Sequence, residues 1–543
     1  MEELEESRTV IVSGYRENEA TLQTLIMQSF RKDGFITQVI LQDGYALVTF
    51  ENAQRAREAL QRPHFFNTFY GKTELVLKLM EDTNPEDLLK LSHSDKDEVE
   101  LISKLNDDCL EYIFTFLNLR ELSCVQMVCK RFDSVARIIY RARRILDFDT
   151  LAHDGTINFK DAKRIAQGAG PYVHTLIASK NSFFATDRRL LKVILKPCKK
   201  LENLHLMDFD VRAKKTSGEL SRIMQPVKVA RLVRCKLTEK VAEKILKNAN
   251  SLEKLDLSKN GRLYGYFVKY LRGMKELNVS NCKMISRTDF INFCKMNPDL
   301  RSLNIIKCIG INQDCLRAIA TNLRSLETLA IQYRALSPSD FIILADLPKL
   351  IRVEIRSWYN SDNDTFLRRL ATLNRLEYLD TSIEYITQNL ITMLASFHNL
   401  RVLKLRCDFL FEPFELNGQG FLTQILPKGK LEELHVINNI KITNNDVAAF
   451  IERCPTLRLV DLTKCSRISL DLIKLIIPNL SRRTGILELI VGQTMLAKEI
   501  AGREIEFPEL NGKIKLDLTV KSMDKIDLYS GYESDDSFSQ YDN

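Results

Sequence analysis

The chain is short of several residues that chemistry usually needs. Glycine occurs 20 times in 543 residues and tryptophan once. Gly-rich phosphate cradles are therefore not expected. Gly71-Lys72-Thr73 ends like a phosphate loop, but Phe66 stands where the earlier glycine belongs. Seven histidines are scattered and form no HExxH pair, so no zinc or other metal centre is expected. The twelve cysteines contain no CxxC spacing and read as reduced thiols of a cytoplasmic or nuclear protein. No apolar run approaches the roughly 18 residues of a membrane span. The opening MEELEESR lacks an apolar core, so no secretory signal is expected. Neither sign of charge dominates. A net +8 is small at this length and does not by itself imply nucleic acid.

What is present is apolar pattern, at 45% of residues, enough for large cores. It is densest in Leu105–Arg137, LNDDCLEYIFTFLNLRELSCVQMVCKRFDSVAR. Asp107 can cap a first helix, on which Leu110, Ile113, Phe114 and Leu117 share a face, and Asn118 can stop it. A second run carries Leu122, Val125 and Val128, and a third Phe132, Val135 and Ala136. The basic stretch Ile138–Leu146 reads as further helix. About forty residues cannot bury so many large side chains alone. Either the rest of the chain or another protein must share their core.

This stretch resembles an F-box. Its three motif parts stand at Leu105-Asn106-Asp107-Asp108-Cys109-Leu110, Ile113-Phe114-Thr115-Phe116-Leu117 and Val128-Cys129-Lys130-Arg131-Phe132. Asn106 replaces the family's usual Pro, and Phe132 its frequent Trp. The resemblance implies three helices that dock a Skp-type adaptor through Leu105, Asn106, Leu110, Ile113, Phe114, Leu117, Val128, Cys129 and Phe132. Through the adaptor they would reach a cullin–RING ubiquitin-ligase core.

Residues 8–80 order as βαββαβ. Strands are expected at Thr9–Gly14, Phe35–Leu41, Tyr45–Phe50 and Glu74–Leu79, with Asp43-Gly44 as a tight hairpin. Helices are expected at Asn18–Lys32 and Ala53–Leu60. That order suggests a ferredoxin-like module. It resembles the RNA-recognition motif (RRM) family, with Val10–Tyr15 and Asp43–Phe50 at the two signatures. Of the stacking aromatics only Tyr45 is present; Ile11 and Leu47 stand at the other two positions. The module is slightly acidic. RNA binding is therefore not favoured, and a protein-contact or structural role is.

From residue 147 onward a repeat takes over. Leucine-type triplets begin at Leu201, Leu252, Leu300, Leu400 and Leu431, with degenerate copies at Val173, Val227, Met274, Leu326, Leu350, Leu376, Leu457 and Ile486. The mean period is about 26 residues, inside the leucine-rich-repeat range. Eight positions into a copy stands Asn or Cys, as at Asn181, Cys235, Asn260, Cys282, Cys308, Asn439 and Cys465, where the side chain can bond turn backbone. Thr238, Ser286, Asn312, Ser337, Thr387, Thr443 and Ser469 are expected to cap a helix in each copy. The array resembles the cysteine-containing leucine-rich repeats found with F-boxes. It implies a curved solenoid with parallel strands on its concave face.

The expected organisation is α/β and multidomain: an RRM-like domain at 8–80, an acidic linker at 81–104, the F-box and following helix at 105–146, repeats at 147–518, and a disordered acidic tail at 519–543. No catalytic residue and no cofactor is expected. The expected function is substrate recognition for an SCF-type ubiquitin ligase, without catalysis by this chain. The rivals are an RNA-binding adaptor and a non-degradative scaffold. Strand residues flanking the leucines should face a protein substrate. Arg352, Arg356, Tyr378, Lys404 and Arg406, with Trp358 at the rim, suit an acidic or phosphorylated peptide. Glu354 and Asp380 on the same strands can instead neutralise these cations.

Overall fold

The computed structural model describes residues 8–13, 26–27, 29–30, 33, 35–42, 45–61, 64–68, 71–79, 105–153, 155–184, 189–332, 338–356, 364–382, 388–406, 422, 430–480, 483, 485–501 and 513–518. The 81–104 linker, the 519–543 tail, the Asp43-Gly44 turn, most of the expected Asn18–Lys32 helix, Ser337, Trp358 and Thr387 lie outside them. The chain falls into two compact units, residues 1–117 and 118–543. The division falls inside the 105–146 stretch.

In the first unit five strands form one sheet: β1 (Thr9–Ser13), β2 (Ile36–Gln42), β3 (Tyr45–Phe50), β4 (His64–Thr68) and β5 (Gly71–Leu79). Their order is β2-β3-β1-β5-β4, and every pair is antiparallel. The alternation of Val10, Val12, Ala46, Val48 and Phe50 sends these side chains to one face. There they pack with Ile26, Phe30, and Ala56 and Ala59 of helix α1 (Ala53–Leu60). Asn52 caps α1, its side chain accepting from the Arg55 N–H at 3.0 Å. One strand was not expected: β4 forms a hairpin with β5, which begins at Gly71 rather than Glu74. HFFNT is too short to show a clear period, so its strand character emerges only on pairing.

Helix α2 (Asp107–Thr115) closes the first unit's described chain. Its cap is Asn106, not Asp107: the extended Asn106 accepts the Cys109 N–H at 2.8 Å. Asp107 is instead the first helical residue, where its charge suits the positive helix end. Leu110 and Phe114 are buried.

In the second unit Asn118 is a start rather than a stop. It caps helix α3 (Leu119–Val125) through a capping box with Glu121. Cys129 caps helix α4 (Lys130–Ala142), its sulfur accepting the Phe132 N–H. Both helices pack on α5 (Phe159–Ala169). Tyr140, fully buried, lies where any side chain at Gly168 would sit; a Cβ there would come within 2.6 Å of its ring. The stretch expected as helix to Leu146 ends at Ala142, and Ile145–Asp147 is a strand. That strand pairs in parallel with Thr175–Ser179, so sheet pairing overrides the local helical pattern.

A fifteen-stranded parallel sheet then runs in chain order from Ile145–Asp147 to Ile514–Asp517, two strands more than the triplets mark. Leu255, Leu277, Leu303, Leu329, Val353, Leu379, Leu403 and Leu434 stand in one register row, each 2% exposed or less. Each such side chain contributes about 2 kcal/mol of burial. The Asn/Cys position builds a second row. The Cys235, Cys282, Cys308 and Cys465 thiols donate to the carbonyls of Leu206, Leu257, Val279 and Val436 in the preceding copies. Asn260 donates to the Leu232 and Leu257 carbonyls and accepts from the Leu237 N–H. Asn181 departs from the row: it is exposed, in a 3-10 turn, and the adjacent buried Ser182 bonds Asp149. Asn312 and Thr443 cap helices with their side chains, whereas Thr238 and Ser286 stand at the cap without that bond. Ser469 precedes its helix, Asp471–Leu480, by two residues.

Candidate functional site

The residues read as adaptor contacts divide by burial. Leu110, Phe114 and Phe132 are 1%, 4% and 9% exposed and belong to the protein's own core. Leu105 and Leu117 are half-buried, and Asn106 is occupied as a cap. Ile113 and Val128 are open, at 44% and 66%, and Cys129 is exposed. The reading also missed three exposed side chains. Tyr112 on α2 and Phe116 at its C-cap are 67% and 72% exposed and stack edge-on at 5.1 Å. Met127, beside Val128 in the turn before α4, is 59% exposed. A signal for Tyr112 and Phe116 was present, because they flank Ile113 at helical spacing on the side away from Leu110. So α2 presents Tyr112, Ile113 and Phe116 to solvent, and the α3–α4 turn presents Met127 and Val128. Single exposed apolar residues are ordinary, but such groups are not.

On the sheet the alternation places Val353, Ile355, Leu379, Leu403 and Leu405 inward, all fully buried. The residues between them look away from the helices. Parallel register sets Arg352 beside Tyr378 and Val402, and Glu354 beside Asp380 and Lys404. Asp380 is the centre. It receives Arg356 Nη1 at 3.0 Å, Arg406 Nε at 2.9 Å and Arg406 Nη2 at 2.7 Å. Arg356 also bonds Glu354. The arginine side chains are only 11% and 12% exposed, and Asp380 is 1% exposed. Burial raises the Asp380 carboxyl, but the Arg406 hydrogen bonds and the Arg356 and Arg406 charges outweigh it and hold the group below its usual range. Burial lifts Glu354 instead.

The six residues read as a substrate cluster thus play different parts. Arg356 and Arg406 are engaged within the sheet. Arg352 and Lys404 flank the Tyr378 ring, at 4.1 and 5.6 Å from its centroid. Burial and the nearby carboxylates push the Tyr378 phenol up. Trp358 lies outside the described residues. Two strands further, buried His435 pairs its Nδ1 with Asp461 at 3.1 Å, and its Nε2 has no hydrogen-bond partner. The pairing of Lys404 with His435 across the sheet extends the polar face to Asp461. Among the described residues this surface offers cations, one ring and an imidazole nitrogen, but no arrangement of nucleophile, base and oxyanion donors.

In the first unit Tyr45 lies on the face of the sheet opposite α1, half-buried. Ile11 and Leu47, its neighbours on that face, are 2% and 7% exposed. Among the described residues no group of three or more His, Cys, Asp or Glu side chains could hold a metal ion. No helix among them is long and apolar enough to cross a membrane.

No family model matches the chain. It is 22% identical over 401 residues to a Caenorhabditis elegans protein named "Putative RNA-binding protein EEED8.10", a match covering 65% of this chain. The match spans about half, 52%, of that protein's length. Among solved structures it is similar to the Rad7 and Elc1 complex of yeast, at 15% identity and a TM-score of 0.39, covering 80% of this chain and 98% of that one. An internalin from Listeria monocytogenes shows 15% identity and a TM-score of 0.33, covering 75% and 96%. The repeat architecture rests on the sheet itself rather than on these likenesses.

Proposed function

We propose that this chain is the substrate-recognition subunit of an SCF-type E3 ubiquitin ligase and catalyses nothing itself. The F-box-like helices dock a Skp-family adaptor, and the adaptor brings the cullin–RING core. The outward sheet face around Arg352, Tyr378 and Lys404 holds a protein substrate of acidic or phosphorylated character. The mechanism is proximity: one partner's ubiquitin carrier acts at high effective concentration on a substrate held by the same chain. The observation that carries the reading is the exposure of Tyr112, Ile113 and Phe116 on a helix whose other face is packed. In a monomer these side chains lose burial that an adaptor would supply.

The test is co-purification of a Skp-type adaptor with the Ile113→Asp, Phe116→Asp variant. Both positions are exposed, so the fold should survive, whereas Leu110→Asp would unfold the helix's own core. A charge carried into a desolvated interface costs several kcal/mol, so adaptor recovery should disappear. Undiminished recovery would overturn the assignment.

A second reading has its own support. The β2-β3-β1-β5 order and α1 suit a ferredoxin-like, RRM-like module, and the worm relative carries RNA binding in its name. Against an RNA platform stand the burial of Ile11 and Leu47 and the lone Tyr45. Saturable, Tyr45-dependent RNA binding by the full chain would promote this reading.

A further inference from the structure

Four consecutive turns of the repeat array form one edge. They follow the strands Val229–Val233, Lys254–Asp256, Glu276–Asn278 and Ser302–Asn304. Backbone hydrogen bonds join them. The Arg234 N–H donates to the Ser258 carbonyl at 3.0 Å, Lys259 to Ser280 at 2.8 Å and Asn281 to Ile306 at 2.8 Å. Further out, Met284 donates to Leu263 and Gly310 to Lys283, both at 3.1 Å. Neighbouring turns therefore follow each other at about the strand spacing of 4.8 Å.

The charge on this edge is of one sign. Residues 234–240, 258–266, 281–287 and 306–312 contain eight Lys or Arg and a single carboxylate, Glu239. Glu239 is not free to neutralise them: its oxygens accept the backbone N–H groups of Tyr264, Gly265 and Phe267. Arg234 pairs with Asp208 at 2.8 Å, and Arg287 bonds the Gly310 carbonyl. Lys283 lies over the Tyr264 ring at 5.3 Å. Among the described residues Lys236, Lys240, Lys259, Arg262 and Lys307 form no ion pair, and all but the half-buried Lys259 are exposed. Tyr266, 47% exposed, stands among them.

The turn geometry sharpens the point. Arg234, Lys259, Asn281 and Lys307 occupy the same turn position with φ of 54°, 61°, 59° and 57°. Asn or Gly takes that left-handed conformation most readily, so geometry alone does not call for Lys or Arg there. Elsewhere on the array opposite charges meet across adjacent strands, as Lys228 with Glu202 and Lys254 with Glu276. On the edge Arg234 is paired in this way, with Asp208 of the preceding turn, whereas Lys236, Lys259 and Lys307 are not.

We propose that this edge binds the backbone of single-stranded nucleic acid, with the unpaired lysines on successive phosphates and Tyr266 offering a ring for a base. A ligand charged at every unit matches cations recurring from turn to turn, and an exposed ring accepts any base. An acidic peptide matches less well, because the strands behind the edge are already paired on both sides and offer no open strand for its backbone. This site shares no residue with the adaptor and substrate surfaces and does not depend on the ligase reading.

The test uses the full chain, fluorescence anisotropy, and labelled oligouridine of about 16 nucleotides, with polyglutamate of equal charge as comparison. The variant is Lys236→Asn with Lys259→Asn and Lys307→Asn. All three positions have left-handed backbone, which Asn tolerates, and circular dichroism checks that the fold is kept. Wild type should bind oligouridine saturably. The variant should flatten the log-affinity against log-salt slope by about 2 and bind about a hundredfold more weakly at roughly 0.1 M salt. Tyr45→Ala should change neither. Absence of saturable binding, an unchanged slope in the triple variant, loss of binding in Tyr45→Ala, or tighter binding of polyglutamate would each overturn the proposal.

Discussion

Asp380→Asn tests how the outward sheet face is held together. The substitution keeps shape and removes charge. Asp380 is 1% exposed and takes four hydrogen bonds from Arg356 and Arg406, whose side chains are 11% and 12% exposed. A pair in open solvent would contribute at most about 1 kcal/mol. Here both guanidinium groups are largely desolvated, and losing their carboxylate leaves buried charge uncompensated, which costs about 3–5 kcal/mol. Glu354 remains bonded to Arg356 and softens the loss, so the low end, about 3 kcal/mol, is expected. Urea unfolding followed by far-ultraviolet circular dichroism reads this as a lower midpoint at unchanged slope. Adding Arg406→Gln removes one orphaned cation. The double variant should therefore lose less than the sum of the single losses, with a coupling of about 1–3 kcal/mol. A loss under about 1 kcal/mol with no coupling would refute the reasoning. It would also return Arg356 and Arg406 to the pool of ligand-binding cations.

Two further outcomes follow from the same structure. Asn260→Ala removes the donor to the Leu232 and Leu257 carbonyls and the acceptor for the Leu237 N–H, all in a buried turn. It should cost about 2–4 kcal/mol in urea unfolding, and Cys282→Ala less, since a thiol is a weak donor; equal losses would contradict the ladder. Acid should destabilise the array through Asp380 and Asp461. Burial raises both carboxyls, but Arg406 and Arg356 in one case, and His435 and Thr463 in the other, hold them below the usual value. Their contribution is therefore complete above the unfolded value of about 4 and lost as pH falls through the lower folded values. A melting temperature that stays flat from neutral pH down through that window would argue against it.

The repeat register was legible because each copy states it again. A leucine triplet fixes the strand, and the residue eight places on fixes the turn, so thirteen strands could be marked before any pairing was known. The two end strands were not. Ile145–Asp147 follows a basic helical run, and Ile514–Asp517 carries one leucine; both become strands by pairing with a neighbour. The 105–137 stretch was legible as three helices, but not which side chains they expose. Leu110 and Ile113 lie on one broad apolar arc in sequence, yet one is 1% and the other 44% exposed. Caps were misread by one residue at Asp107 because Asn106 and Asp107 are both good capping types. Burial of the Arg356–Asp380–Arg406 group could not be read either, because it depends on three strands from three copies.

Charge shows the same limit from the other side. A net +8 over 543 residues carried no message about nucleic acid, and along the sequence the lysines of the turn edge are never a run. Lys236, Lys259, Lys283 and Lys307 are each more than twenty residues from the next. The period that separates them is the period that brings them together, because one repeat of about 26 residues advances the sheet by one strand, about 4.8 Å. On the strands, that compression makes like charges costly, and the sequence answers with Lys254 against Glu276 and Arg406 against Asp380. In the turns it answers at Arg234, against Asp208, and leaves Lys236, Lys259 and Lys307 unanswered. Like charges about 5 Å apart in water repel weakly, by about 1 kcal/mol, so the fold tolerates the edge. A polyanion that releases its counterions there turns that modest repulsion into binding.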